Sequence, residues 1–237
     1  MQKSTTAQIR ERFDTDVERF SNLDTGQIST IDAKISLELI TESAARLVPD
    51  ATNLLDVGCG AGNYTLMMLG KLPNLNCTLV DLSQPMLTRA VERVSPNTSG
   101  SVTPICSDIR EAELAAGSFD IILAGAVLHH LRDDADWETT FTKLYNLLKP
   151  GGCLMISDLI IQETDAITAY TWERYGDYLE GVNGKDYRNH VLDYIAMEDS
   201  PRSMTYQLDL MKRVGFTKTE ILHKNMCFGA FGGVRDK

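Results

Sequence analysis

The stretch NLLDVGCGAGNYT, residues 53–65, contains the residues whose spacing most clearly suggests chemistry. Gly58, Gly60 and Gly62 follow an apolar run and precede a segment with helical patterning. Glycines at such a junction let the backbone approach a ligand closely, and the following helix offers free N–H groups. The stretch therefore predicts a site for a nucleotide-like ligand beyond the end of a strand.

Two features of this stretch discriminate between ligands. The fingerprint of nicotinamide dinucleotides is G-x-G-x-x-G/A, whereas the spacing here is G-x-G-x-G, with Asn63 in place of the third small residue. Asp56, two residues before Gly58, would repel a pyrophosphate but attract the α-ammonium group of a methionine moiety. Asp81, which ends the next strand-like run, could accept hydrogen bonds from a ribose in either ligand. The pattern favours S-adenosylmethionine over NAD.

The elements that must position these residues alternate along the chain. Helical patterns lie between most of the strand-like runs, which are NLLDV, CTLVD, VTPIC, FDIILAG, CLMISDL, KTEILHK and MCFGAFGGV. This alternation predicts a mostly parallel sheet with helices on both faces. Apolar spacing predicts helices over 7–20 and about 31–48, and hence an N-terminal helical cap of residues 1–48 before a main domain of residues 49–237. Residues 160–200 break the alternation and predict a helical lid.

Composition argues against several classes of partner and location. The formal charge of −10 makes nucleic acid an unexpected partner, and the longest apolar stretch, IILAGAVL, is too short to span a bilayer. Five dispersed cysteines without a C-x-x-C pair predict reduced thiols, and no secretory signal is recognised. We therefore expect a cytoplasmic protein; the oligomeric state is left open, a homodimer included.

Five motifs between about residues 50 and 160 resemble those of class I S-adenosylmethionine-dependent methyltransferases: LLDVGCGAGNYT, LVDLS, CSDIRE, FDIILAGAVLHHL and LLKPGGCLMISD. The resemblance implies a Rossmann-like α/β fold, with a seven-stranded sheet whose last strand is antiparallel. It also implies methyl transfer from S-adenosyl-L-methionine to a small-molecule acceptor. The cofactor contacts that it implies are the Gly58–Gly62 loop under the methionine part with Asp56 at its edge, Asp81 on the ribose, Leu82 and Ile109 against the adenine, Asp108 on the adenine amino group, and Ala124 and Val127 near the sulfonium.

The segment AVLHHLRDD supplies candidates for proton transfer. His129 and His130 follow the strand that would face the methyl group, and an imidazole pKa near 6.5 suits proton removal at neutral pH. His129 is the predicted general base, although packing or capping a helix also explains a histidine there. No metal is predicted, because Ala124, Gly125 and Ala126 stand where a metal-assisted catechol-type mechanism would need clustered carboxylates.

Two lid residues are predicted to bind the acceptor: Tyr175, from an aromatic cluster, and Arg188. A buried helix face also explains the aromatic cluster, and an ion pair with local acids also explains the arginine. The tail HKNMCFGAFGGV, with the lid before it, also resembles carboxy-S-adenosylmethionine synthases, in which Arg188 would meet the extra carboxylate. A non-catalytic cofactor-binding protein is a further alternative. The sequence does not name the acceptor or the atom, O, N, C or S, that receives the methyl group.

Overall fold

One sheet organises the chain in the computed structural model, which describes residues 3–22 and 26–237. Its strands in the described part are β1 Asn53–Val57, β2 Asn76–Asp81, β3 Val102–Cys106, β4 Phe119–Gly125, β5 Leu148–Leu159, β6 Lys218–Asn225 and β7 Phe228–Val234. Their order is β3-β2-β1-β4-β5-β7-β6, and β7 runs antiparallel to both of its neighbours while β1 to β5 are parallel. The predicted α/β class, with a seven-stranded sheet and an antiparallel last strand, is confirmed.

Helices cover both faces of this sheet. They are α1 Thr6–Thr15, α2 Val17–Ser21, α3 Ala33–Leu47, α4 Asn63–Leu69, α5 Gln84–Val94, α6 Asp134–Leu147, α7 Asp165–Glu198 and α8 Met204–Val214. Side-chain caps fix where several of them begin: Ser83 accepts from the N–H of Met86, and Asp133 accepts from the N–H of Asp136. Such caps satisfy backbone N–H groups that the first turn of a helix leaves free.

The hydrophobic core lies on both sides of the sheet. Trp137, Phe141 and Leu144 of α6 pack on one face, and Leu37 and Ile40 of α3 pack on the other, all of them fully buried. Because β1 and β4 are covered on both faces, their sequences read as nearly continuous apolar runs. Each such aliphatic or aromatic side chain stabilises the fold by about 1.5–3 kcal/mol relative to exposure.

The helices of the predicted cap divide between two places. Helix α3 packs against β5, β7 and β6 as part of the layered core. Helices α1 and α2 instead lie over the carboxyl ends of the parallel strands. The predicted helix over 7–20 is interrupted at Asp16, where ψ is 16°. Helix α3 begins after Asp32, a left-handed residue (φ 57°) whose carboxylate accepts from His223 and Asn225.

The predicted lid is helix α7, interrupted at Asn183 and Gly184, where φ is −153° and 79°. Its buried residues Tyr175 and Leu179 pack with Leu159 at the end of β5 and Phe228 at the start of β7. The lid is thereby anchored to the sheet through its own small apolar cluster. Among the described residues, no helix has the length and apolar character that crossing a membrane requires.

Candidate functional site

A cavity of about 860 Å³ lies at the carboxyl ends of the parallel strands. The residues that follow or end β1, β2, β4 and β5 form its floor: Gly58, Asp81, Gly125 and Leu159. Helices α1, α2 and α7, which we call the roof, close it from above. Open parallel sheets bind ligands in this place, because the loops that leave the strands converge there.

The glycine loop forms one wall of the cavity. Gly60 has a φ of 50°, and a Cβ placed on it would meet no atom within 4 Å. Gly58 has a φ of 64°, and a Cβ there would come within 2.5 Å of the Val127 side chain. Gly60 therefore presents bare backbone to open space, while Gly58 lets the loop pack against the turn after β4. Gly62, also left-handed, packs on α5 and does not line the cavity.

Asp81 stands beside this loop on the cavity wall. One carboxylate oxygen accepts from the N–H of Gly60 at 2.8 Å, and the other accepts from the N–H of Ser83 at 2.9 Å. Burial raises the pKa of Asp81 above its usual value. Leu82, the next residue, also lines the cavity. Both residues therefore lie where the cofactor role predicted for them requires, and those roles remain predictions.

Asp56 lies behind the glycine loop rather than on the cavity wall. Its side chain is buried, and one oxygen accepts from the N–H of Thr65 at 3.2 Å and from its hydroxyl at 2.6 Å. Burial raises the pKa of Asp56 to about 7. Because Thr65 is in the first turn of α4, the contact that the structure gives Asp56 is with the start of this helix, and not with the space predicted for a methionine ammonium group.

Three other predicted cofactor residues do not line the large cavity. Asp108 forms an ion pair with Arg110, with Oδ2 and Nη2 2.6 Å apart, and lines a smaller cavity of about 320 Å³ that shares Leu82. Ile109 and Ala124 are buried in the apolar core. Gly125, the last residue of β4, lines the cavity, as do Ala126 and Val127 immediately after it.

His129 lies on the cavity wall in the short helical turn Leu128–His130 that follows β4. Its Nδ1 is hydrogen-bonded to Oδ1 of Asp158, and its Nε2 lies 3.8 Å from Oδ1 of Asp199. Burial lowers the pKa of His129, but the charges of Asp158 and Asp199 oppose it, and the net result is a pKa of about 9. At neutral pH this buried imidazole is therefore protonated on both nitrogens and cationic, and two carboxylates flank it.

A strained turn brings His129 to this position. Ala126 adopts a left-handed conformation with a φ of 51°, and its N–H donates to the carbonyl of Ser157 at 2.8 Å. A non-glycine residue in this region costs about 1–3 kcal/mol, and such strain clusters at functional sites. The bond ties the turn after β4 to the end of β5, the strand that carries Asp158.

His130 and Asp199 extend the buried polar cluster. Nδ1 of His130 lies 3.2 Å from Oδ1 of Asp199, and burial lowers the pKa of His130, so that this imidazole is neutral. Ligand atoms of His129, His130 and Asp199 all lie within 4.8 Å of one another, a set whose chemistry could hold a metal ion. The absence of a metal, expected from the sequence, remains a prediction.

An ion pair joins two helices of the roof, α1 and α7. Arg12 of α1 binds Glu198 of α7 through Nη2 at 2.8 Å and through Nε at 3.1 Å, and it donates to the hydroxyl of Tyr194 at 2.5 Å. Aromatic rings from the roof and from β7 face the cavity beside this contact: Phe13, Phe20, Tyr175, Tyr187, Tyr194 and Phe228. The side of the cavity under the roof is therefore largely aromatic.

The two residues predicted to bind the acceptor have different surroundings. Tyr175 lines the cavity, and its hydroxyl donates to the carbonyl of Ser29 at 2.8 Å. Arg188 does not line it, and its Nη1 lies 2.7 Å from the carboxylate of Glu180. The sequence interpretation gave no role to Asp158, Glu198 or Asp199. Of these, Asp158 could have been found from the sequence, because it lies near the end of β5, a parallel strand that pairs with β4.

Comparisons with known proteins agree with this architecture. A family model described as a methyltransferase domain matches residues 54–152. A carboxy-S-adenosyl-L-methionine synthase from Campylobacter concisus is 32% identical over 194 residues, which cover 80% of this chain and 80% of that protein. A malonyl-[acyl-carrier protein] O-methyltransferase from Priestia megaterium is 28% identical over 63% of this chain, and the match spans about half of its length, 53%.

A solved structure has the same fold over nearly the whole chain. The N-methyltransferase NodS from Bradyrhizobium japonicum, in complex with S-adenosyl-L-homocysteine, superposes with a TM-score of 0.66 at 16% identity. The match covers 99% of this chain and 100% of NodS.

Proposed function

We propose, from the premise that this chain belongs to the class I S-adenosylmethionine-dependent methyltransferase family, that it methylates a small-molecule acceptor that loses a proton in the reaction. S-adenosyl-L-methionine is the cofactor of this enzyme class. The observation that carries the proposal is the buried His129, held by Asp158 on the wall of the cavity beside Val127. A positioned imidazole beside a ligand cavity is the arrangement that general-base catalysis uses.

The residues present fit the cofactor. Gly60 leaves a space that any side chain would fill, and Asp81 places a buried carboxylate beside it. In our proposal the loop from Gly58 to Gly60 holds the methionine part, Asp81 holds the ribose and Leu82 packs on the adenine. When bound, S-adenosylmethionine supplies a methyl group on a sulfonium, already activated for in-line displacement.

The remaining work belongs to the chain's own residues. The roof excludes water and positions the acceptor, so that much of the rate comes from proximity. Nε2 of His129 is the nitrogen available to take the acceptor's proton, because Nδ1 is engaged by Asp158. Asp158 and Asp199 stabilise the protonated form of His129, so His129 must lose a proton before it can act as a base. The neutral form is then a stronger base than an ordinary imidazole. Asp158 acts as a positioning residue, and no metal takes part.

A second candidate is an activity like that of carboxy-S-adenosyl-L-methionine synthases. The similarity to the Campylobacter protein favours it, since it extends over most of both chains. A carboxylated ligand requires a cation in the cavity, and Arg188, the residue expected to supply one, pairs with Glu180 outside it. We therefore rank this activity below methyl transfer, and a non-catalytic role below both.

Three measurements test the proposal. Mass spectrometry of the ligand that co-purifies with the protein should find S-adenosylmethionine or S-adenosylhomocysteine rather than a carboxylated analogue. A panel of phenols, amines and thiols is then screened for acceptor-dependent release of S-adenosylhomocysteine. Replacing His129 by Asn should lower turnover by about 10²–10⁴-fold, whereas His223→Asn, a histidine of β6 that does not line the cavity, should change it little. A co-purified carboxylated analogue, or equal turnover in the two variants, would contradict the proposal.

A further inference from the structure

The acceptor side of the cavity, bounded by His129, Asp158 and the roof, has an unusual balance of charge. Three buried carboxylates face it, those of Asp158, Glu198 and Asp199, and each of these residues is no more than 5% exposed. Buried carboxylates are stable only with partners. The partners of these three therefore decide which charge a ligand in the cavity would meet.

Arg12 forms a bidentate ion pair with Glu198. Its Nε and Nη2 donate to both oxygens of that carboxylate at 2.8–3.2 Å, an arrangement that uses one edge of the guanidinium. The same guanidinium carbon lies 4.0 Å from the ring centroid of Tyr194 and 4.2 Å from that of Phe13. Glu198 therefore neutralises the charge of Arg12, and the rings of Tyr194 and Phe13 pack beside the guanidinium.

The other cations near the cavity are also paired. Among the described residues, the arginines that line the cavity are Arg12 and Arg19, and no lysine does so. Arg19 binds Asp16 at 2.8 Å. Six of the residues that line the cavity are acidic and two are arginines, so carboxylates outnumber cations there even with His129 protonated; the acids are Asp16, Asp81, Asp158, Asp193, Glu198 and Asp199. An acceptor that carried a carboxylate or a phosphate would find no unpaired cation there and would face that excess.

We infer that the acceptor is an aromatic compound that is neutral or cationic and carries no carboxylate or phosphate. We further infer that Glu198 determines this specificity, because it occupies the guanidinium that would otherwise bind an anion. The inference deepens the proposed function and rests on it. Aromatic walls suit an aromatic ligand, and ring faces together with excess carboxylate also favour a cation. Like charges brought together in a closed site disfavour the wrong ligand strongly.

The test uses three ligands that share one skeleton and differ in charge: 4-ethylphenol, tyramine and 3-(4-hydroxyphenyl)propionate. Calorimetric titration of the full chain, saturated with S-adenosylhomocysteine, measures each dissociation constant. We expect the neutral and cationic ligands to bind at least about tenfold more tightly than the anionic one. In Glu198→Gln, which releases the charge of Arg12, binding of the propionate should improve by about tenfold and binding of tyramine should weaken.

A double variant, Arg12→Gln with Glu198→Gln, removes both charges and should restore the wild-type ranking, which separates charge from loss of fold. Equal or tighter binding of the propionate to the wild type would overturn the inference, as would an unchanged ranking in Glu198→Gln or no binding of any neutral or cationic ligand. The outcome is separable from that of the proposed function. Turnover of an anionic acceptor would refute the inference alone, whereas charge-ranked binding without methyl transfer to any acceptor would refute the proposed function alone.

Discussion

Asp158 holds His129 at two points, the imidazole and the backbone. One carboxylate oxygen is bonded to Nδ1 of the ring, and the other accepts from the N–H of the same residue at 3.1 Å. The second oxygen also accepts from the N–H of Leu128 at 2.8 Å. A single side chain thus fixes the turn, the ring orientation and the site of the imidazole proton.

The first prediction concerns pH. Because its pKa is raised to about 9, His129 is protonated at neutral pH, and only about 1% of it is a free base at pH 7. The logarithm of kcat/KM of the wild type should therefore rise by about one per pH unit up to about pH 9 and then level off. Asp158→Asn removes one of the two carboxylate charges beside His129. The pKa seen in the kcat/KM profile should therefore fall toward about 6.5, the usual histidine value, and kcat/KM should reach a lower plateau. A profile that is flat from pH 6 to 10 in the wild type would argue against His129 as the base.

The second prediction concerns the bare backbone at Gly60. Gly60→Val should weaken S-adenosylhomocysteine binding by more than about 100-fold, because the new side chain enters the space the ligand needs. Gly117→Val is the matched control, since Gly117 also has a left-handed φ, 63°, and open space around it, but does not line the cavity. Both variants should lose stability by about 1–3 kcal/mol, but only the first should lose affinity in calorimetric titration. Similar affinities in the two variants would show that the loop is a structural turn.

The third prediction concerns the buried carboxyl of Asp56. Its folded pKa, about 7, lies above the ordinary 3.8, so the fold favours the protonated form. This group's contribution to stability is complete below pH 3.8 and is lost as the pH rises through 7. Asp56→Asn, which avoids this loss, should therefore gain stability relative to the wild type between pH 5 and 8, by up to about 4 kcal/mol in urea unfolding.

The matched control for that measurement is Asp120→Asn. Although burial alone would raise it, the pKa of Asp120 is lowered by Lys149 and by two backbone N–H groups. Its stabilisation is therefore present above pH 3.8 and is lost as the pH falls through the lowered pKa, so this variant should be destabilised at pH 8. We also expect Asp56→Asn to keep its affinity for S-adenosylhomocysteine; a large loss would favour the contact with the methionine part that the sequence predicted.

The fourth prediction concerns metal. Although three ligand atoms converge at His129, His130 and Asp199, His129 at neutral pH carries a proton that a metal would have to displace. Dialysis against EDTA should therefore leave turnover within about twofold of its starting value, and added Zn²⁺ or Mg²⁺ should not increase it. Activity lost to EDTA and restored by one of these ions would instead establish a metal-dependent enzyme.

The sequence predicted the frame of the site better than its side chains. Strands and the glycine loop are local patterns, so residues 53–65 could be placed from their own composition. Which way a side chain points depends on register. Ala124 and Gly125 are neighbours in β4, but only Gly125, the last residue of the strand, lines the cavity, whereas Ala124 is buried in the apolar core. The sequence placed Asp56 near the glycine loop and therefore near the ligand. It did not reveal that the carboxylate is bonded to Thr65.

Contacts between distant segments were beyond prediction. Nothing local in the sequence indicates that Glu198 meets Arg12 or that Asp199 meets His129. Asp158 was within reach, since β4 and β5 were both recognised and the ends of neighbouring parallel strands meet. For Arg188 the sequence left two interpretations, a ligand contact and an ion pair with a nearby acid. The structure shows an ion pair with Glu180, and a contact with the acceptor stays a prediction.

The contact between Arg12 and Glu198 joins residues 186 positions apart. During synthesis α1 leaves the ribosome long before α7, so it cannot dock on α7 until the chain has been made as far as Glu198. The sheet from β1 to β5 ends at Leu159 and pairs its parallel strands without either partner. Closure of the roof therefore follows synthesis of the whole parallel part of the sheet, and until α7 is made Arg12 has neither Glu198 nor Tyr194 to contact.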